Sequence, residues 1–157
     1  MNARAIPAAV SKRKRIILAT DIAVAAVVFS VALHFVQPGI SNLLWMVGGI
    51  AATLGTLALR RSIDAADLPT AELDEYELKR HLEAREDGLR WSLGLSMLTF
   101  LLTGVVAFAA RFWVDLDGQS VALFFAKVVF AQIVWVPFAM ARSLAGKISR
   151  DELISGE

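Results

Sequence analysis

Asp21, Lys127 and Gln132 are the residues whose type and setting could do chemistry. Each is a polar side chain inside a long apolar run of the sequence. Ionisable groups in such a setting are rare, costly and functional suspects by default. Three roles are open for Asp21. It could anchor the fold through Arg15, Lys14 or a helix terminus, meet a cation from a partner subunit, or hold a proton or an ion. Lys127 could snorkel to the outer surface or approach Asp21 through water. Gln132 falls near the depth of Asp21 and could hydrogen-bond it if the two runs are neighbours. His34 and Arg111 sit at run ends, where interfacial anchors are expected.

Other chemistry is not written in the chain. The sequence contains no cysteine, so it carries no disulfide, thiolate metal site or covalent haem attachment. Its two histidines, His34 and His81, fall on opposite sides of the membrane in the topology below, which argues against a paired-histidine metal or haem site. There is no Gly-rich phosphate loop, no His-Glu-x-x-His and no nucleophile elbow. The expectation is no catalytic, cofactor-binding or metal-binding residues. No nucleic acid is expected as a partner either, because the basic stretch Arg4–Arg15 is accounted for by topology and the net charge is only +1.

The elements that must position these residues are apolar and long. Of the 157 residues, 57% are hydrophobic, against about 45–50% in soluble domains, and the excess is concentrated in four runs. These are 16–36, 40–59, 91–111 and 120–141. At about 1.5 Å per residue each covers a hydrocarbon core of about 30 Å. Backbone groups in lipid must be satisfied internally, so each run must be a helix. The fold class is therefore all-α, a four-helix transmembrane bundle.

Lysine and arginine alternate with the connections. Segments 1–15, 60–90 and 142–157 carry the lysines and arginines, five, six and three of them, whereas the link Gln37-Pro38-Gly39 carries no charge and the outer turn 112–119 carries Asp115 and Asp117. That is the positive-inside pattern for both termini in the cytoplasm, and it predicts a multi-pass membrane protein. The first run is too long for the apolar region of a removable signal and reads as a retained helix. Trp45, Trp91 and Trp113 fall at predicted span ends, where amphipathic rings settle. Asp115–Gln119 has too few oxygen ligands for a calcium loop and reads as an acidic turn. Pro137 should bend the fourth span.

The cytoplasmic segment 60–90 is the only sizeable soluble part. After a linker, Pro69 and Thr70 open a predicted amphipathic helix, with Glu72, Asp74 and Glu75 near its positive end. Ala71, Leu78, Leu82 and Leu89 form a narrow apolar stripe, and Gly88 is a candidate hinge into the third span. Nine acidic residues face four basic ones within 62–90, which disfavours a lone helix lying on anionic lipid. Leu78, Leu82 and Leu89 are thus a candidate face for a partner helix or for the chain's own basic tail. A solvated extension of the third span is the alternative.

Leu73-Asp74-Glu75-Tyr76-Glu77-Leu78, followed by Arg80, Ala84 and Arg85 and then directly by a span, resembles a pattern in small multi-pass membrane proteins of bacteria, actinobacteria above all. Those proteins carry an Asp-Glu-x-Glu helix just before a span and have no assigned chemistry. The resemblance covers residues 72–100 and implies a prokaryotic inner-membrane protein, with no catalytic residues to carry over.

Small residues recur at helical spacing in the spans. Gly48, Ala52 and Gly55 mark one face of the second span, and Ser92, Ser96, Thr99 and Thr103 one face of the third. Such seams let helix backbones approach. Three functions remain. The first is an accessory or scaffold subunit of a membrane complex or homo-oligomer, its partners being lipid and other membrane subunits or itself. The second is a small transporter or ion- or proton-conducting protein using Asp21 and Lys127. The third is a lipid-acting enzyme.

Overall fold

A computed structural model describes residues 8–63, 74–112 and 115–155. Within them the chain forms four helices: α1 (Ala8–Ala32), α2 (Pro38–Arg61), α3 (Glu75–Phe112) and α4 (Gly118–Ser155). All four are long and apolar enough to cross a membrane. Pro69, Thr70, Ala71, Glu72 and Trp113 lie outside the described residues.

The boundaries follow local chemistry. Pro38 occupies the first turn of α2, where its missing N–H costs nothing, and Arg60 and Arg61 sit in the last turn against the negative helix end. Asp74 caps α3. Its carboxylate accepts from the Glu77 backbone N–H at 2.6 Å, while the Glu77 side chain accepts from the Asp74 N–H at 3.4 Å. The Asp-Glu-x-Glu motif is thus a reciprocal capping box. Asp117 caps α4 by accepting from the Ser120 N–H at 2.9 Å, and that bond holds its carboxyl below the usual range. The aspartate of the outer turn starts a helix.

The charged helix and the third span are one element. α3 runs unbroken for 38 residues, about 57 Å, so nearly half of it projects beyond a hydrocarbon core. Gly88 is not a break in it. The glycine is buried, and a Cβ there would collide with the Met140 side chain, so its role is close approach to α4. α4 likewise continues through Pro137 to Ser155.

α4 is the hub. It packs against α1, α2 and α3, α1 also packs against α2, and among the described residues the backbone of α3 comes close to that of α4 and of no other helix. The predicted seam of α2 is used. Ala52 is fully buried, Gly48 faces Ala23, Ala26 and Val27 of α1, and Gly55 faces Thr20. Gly49 meets the ring of Phe130 on α4. The seam of α3 is used only at its start. Ser92 and Thr99 are half-buried, whereas Ser96 and Thr103 are exposed. The start of α1, the end of α2, the start of α3 and the end of α4 lie at one end of the bundle, the terminal end, and their opposite ends at the other, the turn end.

Candidate functional site

Near the turn end, three helices converge on one side chain. Lys127 enters from α4 and is fully buried. Its Nζ lies 2.6 Å from Ser41 Oγ and 2.7 Å from Asn42 Oδ1 at the start of α2, and 3.1 Å from Nδ1 of His34, just beyond α1. Donor accounting assigns the protons. His34 Nε2 sits 2.8 Å from the Ser120 carbonyl, which can only accept, so Nε2 carries the hydrogen and Nδ1 is the acceptor. Ser41 gives its own hydroxyl hydrogen to the Ser30 carbonyl at 2.6 Å, leaving its lone pairs for Lys127. Three acceptors therefore match the three donors of an ammonium, with no carboxylate among them.

Lys127 thus does not snorkel outward, and His34 is not an interfacial anchor. The histidine is buried, and Phe35 and Phe124 flank its ring at 4.8 and 5.8 Å. The side-chain reach of lysine explains the difference. Lys127 starts below the level of His34 and climbs to it, where short polar side chains at the α2 start replace water.

Asp21 and Gln132 lie elsewhere and do not meet. Asp21 accepts from Arg142 Nη1 at 2.5 Å, and Gln132 donates to Ser96 Oγ at 2.8 Å on α3. Helix register is the reason. His34–Lys127, Asp21–Arg142 and Arg13–Glu152 follow one another down the antiparallel α1–α4 pair. Arg142 is ten residues further along α4 than Gln132, about 15 Å. The cation for Asp21 comes from α4 of the same chain, in place of Lys14, Arg15 or a partner subunit.

Arg13 is an interhelical contact that sequence reasoning passed over, because it read as one of a run of orienting charges. It is buried, donates to Glu152 at 2.8 Å and to the Ser62 carbonyl at 3.1 Å, and so ties α1 to α4 and to the end of α2.

At the terminal end α3 and α4 are laced together. Arg80 bonds Asp151, Glu83 accepts from Lys147 at 2.7 Å, and Asp87 accepts from Ser143 at 2.7 Å. The polar face of α3 is therefore turned to α4. Leu78 is half-buried, but Leu82 and Leu89 remain exposed, with more than half of their surface free.

Between α1 and α3, floored by α4, lies an apolar groove of about 610 Å³. Val28 and Phe35 line one wall, Leu95 and Leu102 the other, and Gln132 and Trp135 the floor. None of the residues in the most apolar stretch of α3 is buried. Trp45 stacks edge-on to Phe130, and its ring nitrogen is buried with no acceptor among the described residues, so it packs in the bundle and does not sit at a span end as an interfacial anchor.

No protein-family model matches the chain, and no curated protein or solved structure is detectably similar to it.

Proposed function

We infer that this chain is a non-catalytic membrane protein, an accessory or scaffold subunit that packs into a larger membrane complex or with copies of itself. Four helices of this length and composition make it a multi-pass membrane protein. The lysines and arginines of alternate connections argue for both termini in the cytoplasm, and the resemblance of residues 72–100 argues for a bacterial inner membrane.

One observation carries the reading, the uncovered face of α3. Because α3 is a single helix, the leucine stripe outside the membrane and the small-residue seam inside it run in register. Leu82, Leu89, Ser96, Thr103 and Ala110 recur every seven residues, and all five are exposed, with Ser96 at the edge of the face where its hydroxyl also accepts from Gln132 of α4. A seven-residue repeat is the spacing at which a second helix can follow the first in a left-handed supercoil. Leucines suit that contact in water. Small residues suit it in lipid, where exposed apolar surface alone creates no drive to associate. The glycines of this chain show the contrast. Gly48, Gly49, Gly55 and Gly88 are all covered by neighbouring helices, whereas Gly94 and Gly104 of α3 have nothing within 4 Å of a would-be Cβ.

Purification in mild detergent tests this. The expected species is heavier than the 17.1 kDa monomer or retains another membrane subunit, and Ser96→Leu with Thr103→Leu releases it. A bare monomer from native membranes contradicts the reading.

A second reading, a four-span transporter or ion- or proton-conducting protein, draws on the buried Lys127–His34 pair. Against it, Asp21 lies eleven residues before the end of α1 and His34 beyond that end, so the two are more than about 16 Å apart along the chain and belong to separate networks. Flux into liposomes by the native chain, Asp21→Asn and Lys127→Met decides. Equal flux in all three, or none above empty liposomes, removes it.

A further inference from the structure

The groove between α1 and α3 is built differently from the helix contacts beside it. Where helices meet, small residues let them approach: Gly48 against Ala23 and Val27, Gly55 against Thr20, Gly88 against Met140. The groove is walled by large side chains instead, Val28 and Phe35 of α1 and Leu95, Leu98 and Leu102 of α3. Among the described residues the backbones of α1 and α3 do not come close. The space left is about 610 Å³, within the range of about 300–1,000 Å³ common to small-molecule sites. It is elongated. From Trp91 to Leu102 on α3, and from Phe124 to Trp135 on α4, the lining runs for about 16 Å. Bulky walls around a long gap suit a slender guest better than another helix.

The polarity of the groove is concentrated in one atom. None of the lining residues is charged, and Thr99 gives its hydroxyl hydrogen to the Leu95 carbonyl. Gln132 on the floor differs. The Ser92 carbonyl can only accept, so the Gln132 amide nitrogen is the atom turned to α3, where it also donates to Ser96 Oγ at 2.8 Å. Oε1 of Gln132 has no donor among the described residues, and they do not enclose it. Depth makes this count. Gln132 lies twelve residues from the start of the apolar run 120–141 and nine from its end, about 18 and 14 Å. In the middle of the hydrocarbon no water completes a polar group, and leaving one unmatched costs free energy. A guest that carries one hydrogen-bond donor to this depth satisfies it. Charged heads are held at the membrane surface, so that guest is uncharged, as the lining is.

We propose that this groove binds a neutral, lipid-soluble alcohol of isoprenoid size. Its hydroxyl donates to Gln132 Oε1, and its hydrocarbon lies between the leucines of α3 and the valine and phenylalanine side chains of α1. The lining includes none of the heptad positions of α3, so the site holds or fails independently of that exposed face.

The test uses the full chain in mild detergent with three probes: farnesol, farnesyl methyl ether, which lacks the donor, and a short-chain phosphatidylcholine. Titration followed by native mass spectrometry counts bound ligand and gives affinities, and melting without ligand checks that each variant folds. Farnesol is expected to bind one per chain, about fivefold more tightly than the ether. Gln132→Leu should erase that preference while leaving the ether bound as before. Ala131→Leu raises the floor of the groove and should weaken alcohol and ether alike, about tenfold. Leu101→Ala, exposed and outside the groove, should change nothing. Equal binding of alcohol and ether by the native chain, a preference that survives Gln132→Leu, full displacement of farnesol by an equal concentration of phosphatidylcholine, or no binding of farnesol overturns the proposal.

Discussion

Lys127 donates to Nδ1 of His34 at 3.1 Å, a contact between two basic side chains that works because the His34 N–H is committed to the Ser120 carbonyl. The pair clamps α4 to the turn that joins α1 and α2. Removing the ammonium strands the acceptors on His34 and Asn42 in a closed site. Lys127→Met should therefore cost about 1–3 kcal/mol of stability. His34→Phe should cost a comparable amount, and the double variant less than the two together. Reversible unfolding in detergent measures all three; additive losses would show that the two residues do not share a network.

The glycines make a paired prediction. Gly55→Ala places a methyl against the Thr20 side chain, and Gly48→Ala places one 3.0 Å from the Ala23 carbonyl. Each should destabilise the α1–α2 contact, by about 1–3 kcal/mol. Gly104→Ala meets nothing within 4 Å and should be neutral or stabilise by up to about 1 kcal/mol through helix propensity. Melting temperatures of the three variants check the order.

Acid should loosen the terminal end. The Lys147 ammonium, hydrogen-bonded to Glu83, holds the Glu83 carboxyl below its ordinary value of 4.5. A depressed carboxyl contributes stability that is complete above the ordinary value and is lost as pH falls through the lowered one. Melting of the native chain and of Lys147→Met should differ at neutral pH and converge in acid below 4.5. The difference should be small, since Glu83 is exposed. A gap that widens in acid would contradict the assignment.

Four spans were legible in the sequence because run length and lipid leave the backbone no alternative to helix. The α2 seam was legible for a similar reason, since three small residues at helical spacing have few other uses. The polar network was not. Lys127 was singled out from its type and depth, but its partners depend on the α1–α4 register, which spacing within one helix cannot supply. His34 sits at a span end, a position that reads as interfacial until α2 and α4 are placed beside it. A usable signal was present: Ser41 and Asn42 open the second span at the level His34 closes the first. Continuity of α3 was open for another reason. Gly88 can serve as a hinge or as a close-packing point, and only the position of Met140 decides between them.

The exposed heptad face of α3 is the central claim, and the absence of native cysteine makes it directly measurable. Single cysteines at Leu82, Leu89, Ser96 and Thr103, and at the off-stripe positions Leu93 and Leu101, can be oxidised or coupled to a short bifunctional reagent in native membranes. The account predicts cross-links to a second protein chain at the four stripe positions and not at Leu93 or Leu101. Equal cross-linking at all six positions, or none at any, would contradict it.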